Sequence, residues 1–316
     1  MTRTSALWLG ALAVVITGVA EALAIAWTAA ASAPLALVIT YAVYSLGTAA
    51  AGARIVAAYP GHRVGWLLIA IGSFNALGSD ASLAYGVRAH QVGWPGGVYG
   101  EVISYSTWFI AALALMWLLL LFPDGQLLSP RWRWTTLSWA VGAALLVPGW
   151  VLSAQMSPAM VGGTNPLARD LPLQSAAFAV GLALVCAPLA VSVGAPFLRW
   201  RRAVGVARNQ LTWFVAAAVI MVTLLPVGAA LWNVTPIAPV LAATGLCVLP
   251  AAAYVAILRH HLYDVDLVVS RTVTYVALTS LLALAYVAVV LAIGTLAPTP
   301  VAAAAAALVT AVLALR

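Results

Sequence analysis

Charge is what this 316-residue chain has least of. Charged residues make up 7% of it, against roughly 25% in ordinary soluble domains. With 65% of residues hydrophobic, no water-soluble fold of this length could hide the apolar surface. Lysine is absent, so all fourteen Lys-plus-Arg positions are arginine. Beside the abundant alanine this reads as genomic composition bias, without functional weight. The two cysteines, Cys186 and Cys247, fall inside apolar runs, where thiols behave as small apolar groups, and they build no disulfide framework. Strict polar–apolar alternation is missing, which excludes a membrane β-barrel. Catalytic signatures are missing too: no Walker loop or G-x-G-x-x-G fingerprint, no G-x-S-x-G elbow and no H-E-x-x-H. GHRVGW (61–66) has too few glycines to cradle phosphate and reads as a tight turn. No catalytic residue, cofactor or metal is expected.

Long apolar runs are what the chain does have. Ten can be cut, near 6–30, 34–57, 64–86, 101–122, 135–152, 173–198, 211–231, 238–258, 273–296 and 301–315. A spanning helix needs about 20 apolar residues, and most runs supply that. The first run is too long for the 7–15-residue apolar core of a secretory signal, so it reads as a retained helix. The expected class is an all-α integral membrane protein, a bundle of about ten transmembrane helices. The whole of 1–316 forms one polytopic domain with no soluble domain. The last run, VAAAAAALVTAVLAL, reaches roughly 22 Å against a hydrocarbon core of about 30 Å. The chain then stops at Arg316, which is expected of a helix cut short in a longer parent.

The arginines sort by side. With Arg3 inside, the inner segments carry Arg3; Arg54 and Arg63; Arg131 and Arg133; Arg199, Arg201, Arg202 and Arg208; Arg259 and Arg271; and Arg316. The outer segments carry only Arg88 and Arg169. Short Arg-rich loops stay cytoplasmic, so both termini are expected there, in a multi-pass plasma-membrane protein. The net charge of +7 is spread over six inner segments, which suits anionic lipid head groups and not nucleic acid. Most tryptophans, among them Trp27, Trp66, Trp94 and Trp200, fall near span ends, where amphipathic rings favour the interface. The outer loops are too short for a folded sensor domain, which usually needs 50 or more residues.

Ionisable groups inside the runs are the first candidates for function. A charge at the bilayer centre costs about 2.5–3.5 kcal/mol even on insertion scales. Glu21 and Asp80, the latter following Ser73, Asn75 and Ser79, are expected in the outer third of their spans. Arg88, His90, Glu101, Arg169 and Asp170 could gather there with them. One reading is an outward-facing polar pocket that senses a ligand, a proton or a cation. The other is charges that pair among themselves or snorkel to water. On the inner side, His260 and Asp264 are one helical turn apart, but structural zinc normally wants four ligands. Asp264 and Asp266 are expected to pair with Arg259 and Arg271.

Two inner motifs carry a family likeness. LLLLFPDGQLLSPRWRW (118–134), with Phe122, Pro123, Asp124 and Gly125 at its turn, is one. The other is RHHLYDVDLVVSRTVTYVALTSLLALAYVAVVL (259–291), with Tyr263, Asp264, Asp266, Ser270 and Arg271. Together with GHRVGWLLIAIG (61–72) they resemble the multi-span input regions of actinobacterial two-component sensor histidine kinases, over nearly the whole chain. The resemblance implies a homodimer that relays a stimulus through its last helices to a cytoplasmic kinase core, and so to a response regulator. That core, with its phosphoacceptor histidine and ATP-binding domain, is absent from this sequence, so the chain as given is not expected to be an enzyme; a longer parent would be a histidine kinase. The alternative class is a polytopic transporter or channel, which would need a polar pathway at mid-bilayer. Reporters fused to the two ends should read the same compartment; opposite readings would overturn the even number of crossings.

Overall fold

The computed structural model describes residues 2–258 apart from 33–34, 155–163, 232–234 and 236. Among these residues every regular element is helical. The α-helices are α1 (Arg3–Ala30), α2 (Leu35–Ala58), α3 (Arg63–Phe74), α4 (Ser82–Val92), α5 (Gly97–Leu121), α6 (Arg133–Val151), α7 (Gln174–Arg202), α8 (Gly205–Ala230) and α9 (Ala238–Leu258). A π-helical segment (Asn75–Ala81) joins α3 to α4 without a break, so those three form one rod, Arg63–Val92, of 30 residues. The helical rods coincide with the first eight apolar runs. The ninth and tenth runs lie outside the described residues, as do Tyr263, Asp264, Asp266, Ser270 and Arg271.

Six rods among the described residues are long and apolar enough to cross a membrane: Arg3–Ala30, Arg63–Val92, Pro130–Val151, Gln174–Arg202, Ala207–Leu225 and Val240–Ile257. The architecture is compatible with an α-helical membrane protein. Several rods outrun their apolar stretches: the third continues past residue 86 to Val92, and α7 carries residues 199–202 as its last turn. Side-chain hydropathy ends where water begins, whereas the backbone hydrogen-bond ladder of a helix carries on until a cap stops it.

Burial is inverted relative to a helix of a soluble protein. α1 buries Ala6, Gly10, Thr17, Ala20, Glu21 and Ala24. Its outer face shows Leu12, Val15 (61% exposed), Val19 and Leu23, which recur at helical spacing. Likewise α6 buries Thr135, Gly142 and Gly149 while Leu137 stands 67% exposed. A surface helix in water would turn those large apolar residues inward. Lipid is as apolar as leucine, so association between spans rests on close packing of small residues.

Glycine seams supply that packing. A Cβ on Gly52 of α2 would lie 2.5 Å from Gly65 O and 2.7 Å from Ile69 N of α3. On the α6–α7 hairpin, a Cβ on Gly181 would lie 2.7 Å from Leu146 N. The large side chains collect instead in a cluster shared by α2, α3, α5, α8 and α9, including Ile55, Leu68, Leu118, Phe122, Phe214 and Leu249.

Side-chain contacts fix which helix ends lie together. Arg3 Nε donates to Ala57 O (3.2 Å), joining the start of α1 to the end of α2. Arg63 at the start of α3 donates to Gly125 O (3.2 Å) after α5, and Arg199 near the end of α7 donates to Phe122 O. Of the arginines among the described residues, only Arg88 and Arg169 stand at the opposite end of the bundle.

Gly52→Ala should lower the thermal stability of the protein in lipid, with overpacking costing about 1–3 kcal/mol. Gly47→Ala, on the same helix with nothing within 4 Å of the added carbon, should leave it unchanged. Equal effects on thermal unfolding would contradict the seam.

Candidate functional site

The π-helical segment is where the bundle departs from regular structure. Its wider turns leave backbone carbonyls poorly served, and π-bulges are frequent at functional sites. Neighbouring hydroxyls take up that slack. Thr107 of α5 donates to Gly78 O (2.7 Å), and Ser82 donates to Leu77 O (2.7 Å). Gly78 is needed for the first contact, because a Cβ there would sit 2.9 Å from Thr107 Oγ1.

Asp80 lies on this segment, facing α1 and α2. Asn75 Nδ2 donates to Asp80 Oδ2 (2.9 Å) and also lies 2.9 Å from Ser45 Oγ; Ser45 Oγ lies at 3.5 Å from the same carboxyl oxygen. Glu21 completes the group from α1, with Ser45 and Asp80 as its polar neighbours. Glu21, Ser45 and Asp80 are all buried, and neither carboxyl oxygen of Glu21 makes a well-formed hydrogen bond, with Ser45 and Asp80 beside it. One turn away, Thr17 Oγ1 pairs with Ser73 Oγ (2.9 Å) and donates back to Ala13 O. At 1.5 Å per residue, Glu21 lies about 7 Å from the midpoint of α1 and Asp80 about 4 Å from the midpoint of its rod. Asp80 is therefore closer to mid-span than its apolar run suggested, because the rod extends past that run to Val92, whereas Glu21 stays on the outer side of the α1 midpoint.

The remaining members of the expected outer group lie elsewhere. Arg88 donates to Ala30 O (3.1 Å) and to Gln91 Oε1, while Gln91 donates to Ala31 O. A cation there satisfies the last carbonyls of α1 and complements its dipole. Glu101 is fully buried between α4 and α5, with Oε1 3.0 Å from His90 Nε2. Close approach at Gly86, Gly97 and Gly100 lets α4 and α5 enclose that pair. The four residues thus occupy three places, and only Glu21 and Asp80 share one. Arg169 donates to Pro166 O and Ala168 O within its own loop.

The Phe122–Gly125 turn forms a second centre, at the arginine-rich end. Phe122 is buried and stacks on Phe214 of α8, ring centroids 3.7 Å apart. Arg199 donates to Phe122 O and Gln126 O and lies 4.0 Å from Asp124 Oδ1. Arg63 donates to Gly125 O. Gly125 sits at φ +74°, a left-handed conformation that suits glycine. Its missing side chain leaves room for Arg63, whose Cβ would lie 3.1 Å from an added Cβ. Burial pushes the nearby His62 imidazole below its usual range, and the Asp124 carboxylate opposes that shift. One turn therefore links α3, α5, α7 and α8.

Aromatic residues mark both ends. Trp27, Tyr85 and Trp94 cluster at the arginine-poor end, and Tyr85 donates to Pro95 O (2.6 Å). Trp66 donates to Pro60 O and Trp200 to Thr212 Oγ1 at the other.

Some of these partners were not singled out from the sequence. Thr17 and Ser45 had a faint signal, as hydroxyls inside apolar runs; Thr17 lies one turn before Glu21 on the same face. Arg199 was legible only as one of the inner arginines, and Phe214 and Thr107 had no signal, because their partners are distant in sequence. Among the described residues no three His, Cys, Asp or Glu side chains converge to hold a metal ion. No family model, curated protein or solved structure matches the chain.

Arg199→Gln should destabilise the protein by about 1–3 kcal/mol, the cost of leaving buried carbonyls without a donor. Arg202→Gln, an exposed neighbour, should be silent in the same denaturation assay. Equal stability of the two variants would contradict the clamp.

Proposed function

We propose that the chain is a membrane-embedded signal-input module of the kind found in two-component sensor histidine kinases. In this reading ten helices cross the plasma membrane with both termini in the cytoplasm. The arginine-rich end is the inner one, by the positive-inside rule. The protein pairs as a homodimer and passes its state through its last helices to a cytoplasmic kinase core, which acts on a response regulator.

The observation that carries this reading is the Phe122–Gly125 turn. The motif that resembles the sensor kinases buries Phe122 and Gly125 and is clamped by Arg63 and Arg199. A rearrangement among α3, α5, α7 and α8 must pass through it. α9 packs on α2 and α8 and leads directly into the second motif. A stimulus shifts such a bundle only by binding one packing state better than another, and the turn is where such a shift would meet the cytoplasm.

A second reading, a polytopic transporter, draws on one observation: two buried carboxyls beside a π-helical break near mid-span. Transporters commonly bind substrate or coupling ion at discontinuous helices there.

The two readings separate in a fusion experiment. Joined to a dimeric histidine-kinase core in membrane vesicles, the chain should set an autophosphorylation level that Phe122→Ala and Gly125→Val change several-fold. Phosphorylation indifferent to the membrane part and to these substitutions would sink the signalling reading. Solute flux by the chain alone in proteoliposomes would move the assignment to the transporter.

A further inference from the structure

Glu21 is buried beside a carboxyl of its own sign, and neither of its oxygens makes a well-formed hydrogen bond, the Ser45 hydroxyl and the Asp80 carboxyl being its polar neighbours. Glu101, by contrast, has His90, and Asp124 has Arg199. Among the described residues, no cation is placed beside the Glu21–Asp80 pair. α2 contributes Ser45, Tyr41 and Tyr44, α9 contributes Cys247 behind the tyrosines, and the π segment contributes Ser79. The nearest cationic groups on α4, Arg88 and His90, are engaged with the end of α1 and with Glu101.

Two facing carboxyls in such a place cannot both ionise, since like charges sharing a site drive one of them to keep its proton. The hydrogen-bond pattern says which one. Asp80 Oδ2 already receives Asn75 Nδ2, with the Ser45 hydroxyl also directed at it, and donors favour the ionised form. Glu21 has no such amide donor, only the Ser45 hydroxyl that is also turned to Asp80; as an acid it becomes a donor itself. We infer that Glu21 and Asp80 form an intramembrane proton-binding site, with one exchangeable proton carried by Glu21 and shared toward the Asp80 carboxylate. A metal cation fits less well. It would need lone pairs converging on it, whereas the Asn75 amide presents N–H groups to Asp80 and Ser45.

The π segment couples this site to the bundle. Protonation holds α1, α2 and the Arg63–Val92 rod together through the Glu21–Asp80 contact. Loss of the proton sets two carboxylates against each other at the point where three elements meet. The site stands independently of the signalling reading, because it follows from the carboxyl geometry alone.

Infrared spectroscopy of the full chain in lipid bilayers tests it. The sequence has two glutamates, Glu21 and Glu101, so glutamate labelled with carbon-13 at the side-chain carboxyl reports on these two alone. At neutral pH in sodium-free buffer the labelled wild-type protein should show one carboxylic-acid carbonyl band that shifts in heavy water and disappears in alkaline buffer. Glu21→Gln should abolish the band and Glu101→Gln should leave it. Asp80→Asn should shift its frequency by removing the carboxylate that accepts the proton. Absence of the band from the wild-type protein at neutral pH would overturn the inference without recourse to any variant. So would its survival in Glu21→Gln. Loss of the band on adding sodium chloride at fixed pH would also overturn it, and would assign the pair to a cation instead.

Discussion

Inside hydrocarbon there is no water to receive a donor or an acceptor, so each polar group must find its partner within the protein. The described structure follows from that constraint at every scale. Backbone amides and carbonyls close on themselves in helices. Where the ladder loosens at the π segment, Thr107 and Ser82 supply hydroxyls to Gly78 O and Leu77 O. Where helices end at the arginine-rich side, Arg63 and Arg199 supply guanidinium groups to the carbonyls of the Phe122–Gly125 turn. At the other side Arg88 does the same for Ala30.

The same constraint links packing to chemistry. Without a hydrophobic drive between spans, helices approach by shedding side chains, as at Gly52 and Gly65. That closeness sets α2 against α3 and brings Ser45 to Asn75 and Asp80. The α4–α5 seam likewise encloses Glu101 with His90. Polar sites in this bundle are consequences of small-residue contacts some distance away along the same helix, and the large apolar side chains outside them are free to face lipid.

The two centres lie at different depths. The carboxyl pair sits close to mid-span, and the clamped turn closes the arginine-rich end. α3 belongs to both: Arg63 at its first residue holds the turn, and Asn75 follows directly on its last. A continuous helix therefore runs from one centre to the other.

The helices themselves were legible from composition and run length, since apolar stretches of spanning length have few alternatives. Each run up to residue 258 found its rod, and the sorting of arginines anticipated which ends lie together. Residue choice also marked Glu21 and Asp80 as the unusual groups, because an ionisable side chain in an apolar run is conspicuous in one dimension. Their grouping was not legible. Arg88 and Glu101 share the same stretch of sequence as Asp80 but turn to Ala30 and His90, and helix rotation, not proximity along the chain, decides that. The same holds for the turn: its motif could be read, but Arg199 and Phe214, far along the sequence, became its partners only when α7 and α8 packed beside α5. Hydropathy is a property of single residues, and so the sequence alone determined the helices up to residue 258; pairing depends on the angles at which helices meet, and only the tertiary structure decided those.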